Sequence, residues 1–234
     1  KHETAGYFSI ELANSNHSNE FIFYAAVPDA KKELFEKQIL SIFPNAKVYE
    51  KKDDYNIFNE SGVSVGAYLK QAENPIFPIK TYEQFDYDPL NIILNSFSKI
   101  DRDGEGAAIQ IVFKPAEDYY LKKYKKSLEK INKGVKVKEA IDNDDSFFAQ
   151  LRRFFKDFSK PSKSKKNKDE EEKPPIDQSV LENIKNKIAT PIVKANVRIV
   201  ASAQTRNEAE AIMSDIQSSF NQFENTLGNK FKFQ

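Results

Sequence analysis

The sequence predicts an α/β fold of the α+β type: two ferredoxin-like, open-faced sandwiches built from repeated β-α-β units, with a disordered charged insertion. Three observations carry this expectation. Short runs alternating apolar and polar positions are followed by stretches whose apolar residues recur at helical spacing. That strand-then-helix order appears three times along the 234 residues, as duplicated small sandwiches require. Prolines and capping residues punctuate the transitions. Hydrophobic residues make up 39% of the chain, with 19 Phe and 10 Tyr, enough apolar area for real cores, while 30% charged residues keep the exterior wet.

The first sandwich spans residues 1–74. Phe21 to Val27 is an apolar, aromatic strand pattern, and Pro28-Asp29 opens a helix that places Phe35, Ile39, Ile42 and Phe43 on one face. Pro44 closes it. Ala46 to Glu50 reads as the next strand, giving β-α-β, with flanking strands at Tyr7 to Leu12 and Val63 to Leu69.

The second sandwich comprises residues 75–158 and 179–234. Asp88 is a good N-cap before Pro89 at the first helical position, and Leu90, Ile93, Leu94 and Phe97 form the stripe to be buried. A turn at Asp103-Gly104 leads into a strand from Ala107 to Phe113. A helix from Ala116 to Asn132 follows, turning Leu121, Tyr124, Leu128 and Ile131 inward. The third passage is a strand from Val197 to Ala203 and a capping box, Thr205-x-x-Glu208. Its helix buries Ala209, Ile212, Met213, Ile216 and Phe220. Phe231 and Phe233 then alternate like a last strand. Between these passages, residues 159–178 carry five Lys from Lys160 to Lys168, four acids from Asp169 to Glu172, and Pro174-Pro175. Such a composition buries too little apolar surface to offset ordering entropy, so it reads as a mobile insertion.

Composition closes several function classes. Without Cys there is no disulfide framework, thiolate zinc site or cysteine nucleophile, and His2 and His17 are the only imidazoles. The formal net charge of +1 gives no global field to gather nucleic acid or anionic lipid, so either partner must meet a local patch. No apolar run approaches the roughly 18 residues of a transmembrane helix. The chain opens on Lys1 without Met, which reads as an excised or processed fragment.

The phosphate-cradling Gly-x-x-x-x-Gly-Lys-Ser/Thr run is missing, so the expectation is that the chain neither binds nor hydrolyses ATP. Asp101, Asp103, Glu105 and Gly106 match the first half of a calcium loop, but Val112 stands where the bidentate acid belongs, and a plain turn is favoured. Adjacent acids such as Asp53-Asp54 and Asp144-Asp145 are ordinary in a chain with 35 of them. No catalytic, cofactor-binding or metal-binding residue is assigned, and no small-molecule substrate is expected.

Two segments read as contact surfaces. Lys122, Lys126, Lys130 and Lys133 form a stripe on the helix from Ala116, suited to phosphates, though Glu117, Asp118 and Glu129 dilute it. Nucleic-acid binding there is expected to be weak and salt-sensitive. From Asp145 to Phe158, Phe147, Leu151, Phe154, Phe155 and Phe158 make a broad aromatic face, either core or a docking element.

The runs Phe23-Tyr24-Ala25-Ala26-Val27-Pro28, Pro78-Ile79-Lys80-Thr81-Tyr82-Glu83-Gln84-Phe85 with Asp88-Pro89-Leu90, and Gly104 to Ile111 carry a resemblance. With them the chain resembles the region preceding the P-loop motor in conjugative DNA-transfer, type IV secretion-like ATPases of small-genome candidate-phylum bacteria. The motifs are structural and bring no active residue with them. The resemblance implies a non-catalytic assembly or docking module that pairs with its own subunits in a ring or with membrane-channel components. It would lie in the cytoplasm at the inner face of the membrane, held there by segments outside this chain. The competing expectation is a nucleic-acid-binding ferredoxin-like module, which requires aromatic side chains exposed on the sheet.

Overall fold

The computed structural model describes residues 6–14, 20–51, 55–101, 104–141 and 178–234. They form a mixed α/β structure with one antiparallel sheet of six strands: β1 (Phe8–Asn14), β2 (Phe21–Ala26), β3 (Val63–Gln71), β4 (Gly106–Pro115), β5 (Val193–Ala203) and β6 (Phe231–Phe233). Their order across the sheet is β2-β1-β4-β5-β3-β6. The helices are α1 (Lys32–Ile42), α2 (Pro89–Phe97), α3 (Glu117–Asn132), α4 (Val137–Ile141), α5 (Gln178–Ala189) and α6 (Arg206–Ser219).

Register follows from apolar matching. Leu12 lies opposite Ile109, which lies opposite Ile199, and Ala67 completes the row. A slip of one residue would send each of these side chains to the other face. Helices α2 and α6 close over this row, burying Phe97, Met213, Ile216 and Phe220 against it. The short β6 adds Phe231 and Phe233 to the rim. Asn229, itself buried, ties the turn before β6 to the segment after β3. Its Nδ2 donates to the carbonyls of Glu73 (3.1 Å), Asn74 (3.1 Å) and Phe77 (3.3 Å), and its Oδ1 accepts from the amides of Glu73 and Lys230 (2.9 Å each).

Among the described residues, the second face of the sheet is covered at one end, where Ile57 packs on Ala13 and Ala108. The strand and this covering segment approach so closely that a Cβ on Gly106 would stand 2.3 Å from the Ile57 carbonyl oxygen. Glycine is required there by contact with backbone, not by torsion.

Strands from residues 1–74 and from 75–234 are intermixed within this one sheet, β3 lying between β5 and β6, where two separate sandwiches were expected. The reason is pairing: β1 finds its apolar match in β4, and β3 finds its match in β5. Ala46 to Glu50 is not a strand. Glu50 instead meets Lys32 of α1 (2.5 Å), and the Lys51 ammonium stands over the Tyr24 ring. Nor does α1 bury the face assigned to it, since Ile42 and Phe43 remain 64% and 58% exposed.

The chain divides into two compact units, residues 1–116 with 192–234, and residues 117–191. The first holds the sheet, α1, α2 and α6. In the second, α3 packs on both α4 and α5, with Tyr124, Ile131, Ala140, Ile141 and Ile184 buried.

Candidate functional site

The lysine stripe lies where its spacing places it, on the outer face of α3. Lys122, Lys126 and Lys130 come together with Lys123 around a concavity of about 250 Å³, walled by Tyr119, Ser127 and, from α4, Ala140 and Ile141. Lys133 follows the last helical residue and does not line it. Asp118 stands 3.7 Å from Lys122, a solvent-exposed pair worth little. Tyr124 is buried, as its place on the inward stripe predicts, while Tyr119 stays exposed. The arrangement can hold an anion through several ammonium groups without a shaped, enclosed pocket.

Phe147, Leu151, Phe154, Phe155 and Phe158, and the charged insertion 159–178 apart from its last residue, Gln178, lie outside the described residues. Gln178 begins α5.

The open face of the sheet is a surface the sequence did not announce. One row crosses five strands in register: Tyr24, Glu11, Gln110, Arg198 and Tyr68. The Glu11 carboxylate accepts from the Tyr55 hydroxyl, from Gln110 Nε2 (2.8 Å) and from Ser9 Oγ (2.8 Å). Burial pushes its pKa up, but these three donors and the Arg198 charge outweigh that and hold it below the ordinary value. The Tyr24 and Tyr55 rings stack at 4.4 Å. At the far end Tyr68 donates to Gln234 Oε1 (2.9 Å) and remains 41% exposed. A carboxylate so engaged is a poor general base near neutral pH.

A third surface is the edge strand β2. Phe21, Ile22 and Phe23 are exposed, with Phe23 at 54%, and no charged residue interrupts the strand. Among the described residues, β1 is the only strand that pairs with β2.

Residues 3–231 match the family described as a domain of unknown function, DUF8128. The chain belongs to that family. No curated protein and no solved structure matches it.

Among the described residues no group of three or more His, Asp and Glu side chains is placed to hold a metal, and no helix is long and apolar enough to cross a membrane. Glu105, from the half-matched calcium loop, accepts the Asp101 amide (2.6 Å), and Gly104 takes a φ of 98°, so these residues build the turn into β4. The open face was hidden because its side chains come from strands far apart in sequence, of which β3, β4, β5 and β6 each show only one or two cations. The available signal was Lys or Arg at alternate, outward positions: Lys194 and Arg198 in β5, Lys114 in β4 and Lys70 in β3.

Proposed function

We propose that the chain is a non-catalytic assembly module, docking through β2 onto a second copy of itself, within a larger conjugative DNA-transfer, type IV secretion-like ATPase. The observation that carries the docking is the exposed, uncharged edge formed by Phe21, Ile22 and Phe23. Edge strands are ordinarily blunted by charges, prolines or bulges, because their outward amides and carbonyls pair with any strand that reaches them. Here that protection is missing, and apolar side chains flank the edge on both faces of the sheet. The place within a transfer ATPase rests on the three resembling runs, two of which form β2 and β4. The non-catalytic character rests on the missing phosphate-cradling Gly-x-x-x-x-Gly-Lys-Ser/Thr run.

Sedimentation velocity tests the docking directly. The chain should associate with a Kd at or below roughly 100 µM, about −5.5 kcal/mol. Phe23→Lys places a charge on the edge and should shift the chain to monomer with its melting temperature little changed. A wild-type chain that stays monomeric at that concentration overturns the reading. So does a Phe23→Lys chain that associates as before.

A second reading, a nucleic-acid-binding module, is favoured by the concavity that gathers Lys122, Lys123, Lys126 and Lys130. Contacts of that kind are electrostatic and fade as salt rises.

A further inference from the structure

Among the described residues, the strands place five cations and one carboxylate on the open face: Lys70 on β3, Lys114 on β4, Lys194 and Arg198 on β5, Lys232 on β6, and Glu11 on β1. The carboxylate is committed to Tyr55, Gln110 and Ser9. Four of the lysines face each other directly across neighbouring strands, Lys114 opposite Lys194 and Lys70 opposite Lys232. Like charges in directly opposed positions destabilise an antiparallel pair. An anion laid over Lys70 and Lys232 offsets that repulsion.

Tyrosine rings are interleaved with these charges. Tyr68 lies opposite Arg198, with the Lys70 ammonium 5.2 Å from its ring centroid, and the Lys114 ammonium is 4.8 Å from the ring of Tyr7. The hydrogen bond from the Tyr68 hydroxyl to Gln234 holds that ring in place before any ligand arrives. Flat sheets bearing exposed aromatic rings among cations suit unpaired bases, which stack on the rings while their phosphates meet the charges.

We propose that this face binds single-stranded nucleic acid, with Tyr68 stacking a base and Lys70, Lys114, Lys194, Arg198 and Lys232 meeting phosphates. At about 4.8 Å per strand, the face from β6 to β4 runs roughly 14 Å, room for a few nucleotides. A duplex keeps its bases inside the stack and cannot use Tyr68. An anionic membrane would use the cations but gain nothing from a ring lying within the sheet surface. The binding face is separate from the β2 edge and does not depend on docking there.

Fluorescence anisotropy of the full chain tests this, using a labelled oligothymidylate longer than the roughly 16 nucleotides that bound sites of this kind reach. Affinity should fall steeply between roughly 50 and 200 mM salt. Lys194→Glu with Lys232→Glu turns both like-charge pairs into opposite-charge pairs. The double variant should melt no lower than wild type and bind at least about tenfold more weakly, and its log–log salt slope should shrink by about 1.4, the release from two phosphates. Tyr68→Phe should bind as wild type, while Tyr68→Ala should lose about fivefold or more. This pair decides the matter even if the charge-reversed chain fails to fold. Duplex of the same length should bind more weakly. The proposal falls if the wild type does not bind at the lower salt, if the double variant binds unchanged, or if Tyr68→Ala matches Tyr68→Phe. It also falls if Lys122→Glu, Lys126→Glu and Lys130→Glu together abolish binding, or if phosphatidylserine vesicles are bound in preference to the oligonucleotide.

Discussion

Glu11 occupies the middle of the open face with both carboxylate oxygens engaged: Oε1 by Ser9 and Gln110, Oε2 by Tyr55. These donors favour the ionised form and outweigh burial, so the folded pKa lies below the ordinary glutamate value. A lowered folded pKa gives stability that is present above the unfolded value and is lost as pH falls through the folded one. Tyr55→Phe removes one donor and leaves the ring that stacks on Tyr24. The variant should be less stable at neutral pH by about 1 kcal/mol or less, an amount kept small because water still reaches the carboxylate. Denaturant unfolding at several pH values checks this. The gap between wild type and Tyr55→Phe should close as pH drops below the ordinary glutamate range, and a gap that widens toward acid contradicts the assignment of the Tyr55 hydroxyl as donor to an ionised Glu11.

Helix α6 is the element that most of the core rests on, and its start is fixed by a reciprocal cap. Thr205 Oγ1 accepts the Glu208 amide (3.4 Å), while Glu208 Oε2 accepts the Thr205 amide (2.9 Å). Thr205→Ala should cost about 1 kcal/mol, lowering the melting temperature by roughly 2–4 °C for a unit of this size. A thermal melt shows it, and an unchanged value would mean that packing on the sheet alone holds the helix start. This cap was legible from Thr205 and Glu208, as was Asp88 before Pro89, because capping is decided within four residues. That Lys122, Lys126 and Lys130 share a helix face was legible too, since residues four apart do so, but the wall supplied by α4 and the place of Lys123 were not. What local pattern does not carry is which strand pairs with which. Leu12 meets Ile109 because apolar rows match across nearly a hundred residues, and nothing in either strand alone names its partner. The same blindness hid the open face and led Ala46 to Glu50 to be read as a strand, although it gains no sheet neighbour. For α1, helical spacing set Ile42 and Phe43 on the inner face, but burial depends on what lies beneath, and both stay exposed.

At the scale of the whole molecule, the unit of residues 117–191 enters and leaves through one neck. Strands β4 and β5 are antiparallel neighbours whose ladder runs to Pro115 opposite Val193, and the Ala116 amide donates to the Ile192 carbonyl (3.0 Å). The two chain ends at this neck are therefore as close as the ends of a hairpin, which a short turn is able to join. Every strand of the sheet, together with α2 and α6, belongs to the other unit, so its core residues are all retained when 117–191 is removed. Replacing 117–191 by a short Asn-Gly turn should give a chain that still unfolds in a single cooperative transition. Shortening so long a connection also lowers the entropy cost of closing it, by about 3 kcal/mol. The shortened chain lacks Lys122, Lys123, Lys126 and Lys130 altogether, yet keeps Tyr68, Arg198 and the opposed lysines. If the open face holds single-stranded nucleic acid, the shortened chain should bind the oligothymidylate within about threefold of the full chain, since no phosphate contact on that face is lost. Circular dichroism melts and anisotropy on the same sample check both halves. A cooperative melt with binding abolished would move the nucleic-acid contact to α3, and a chain that fails to fold would show that the sheet needs the inserted unit despite its hairpin neck.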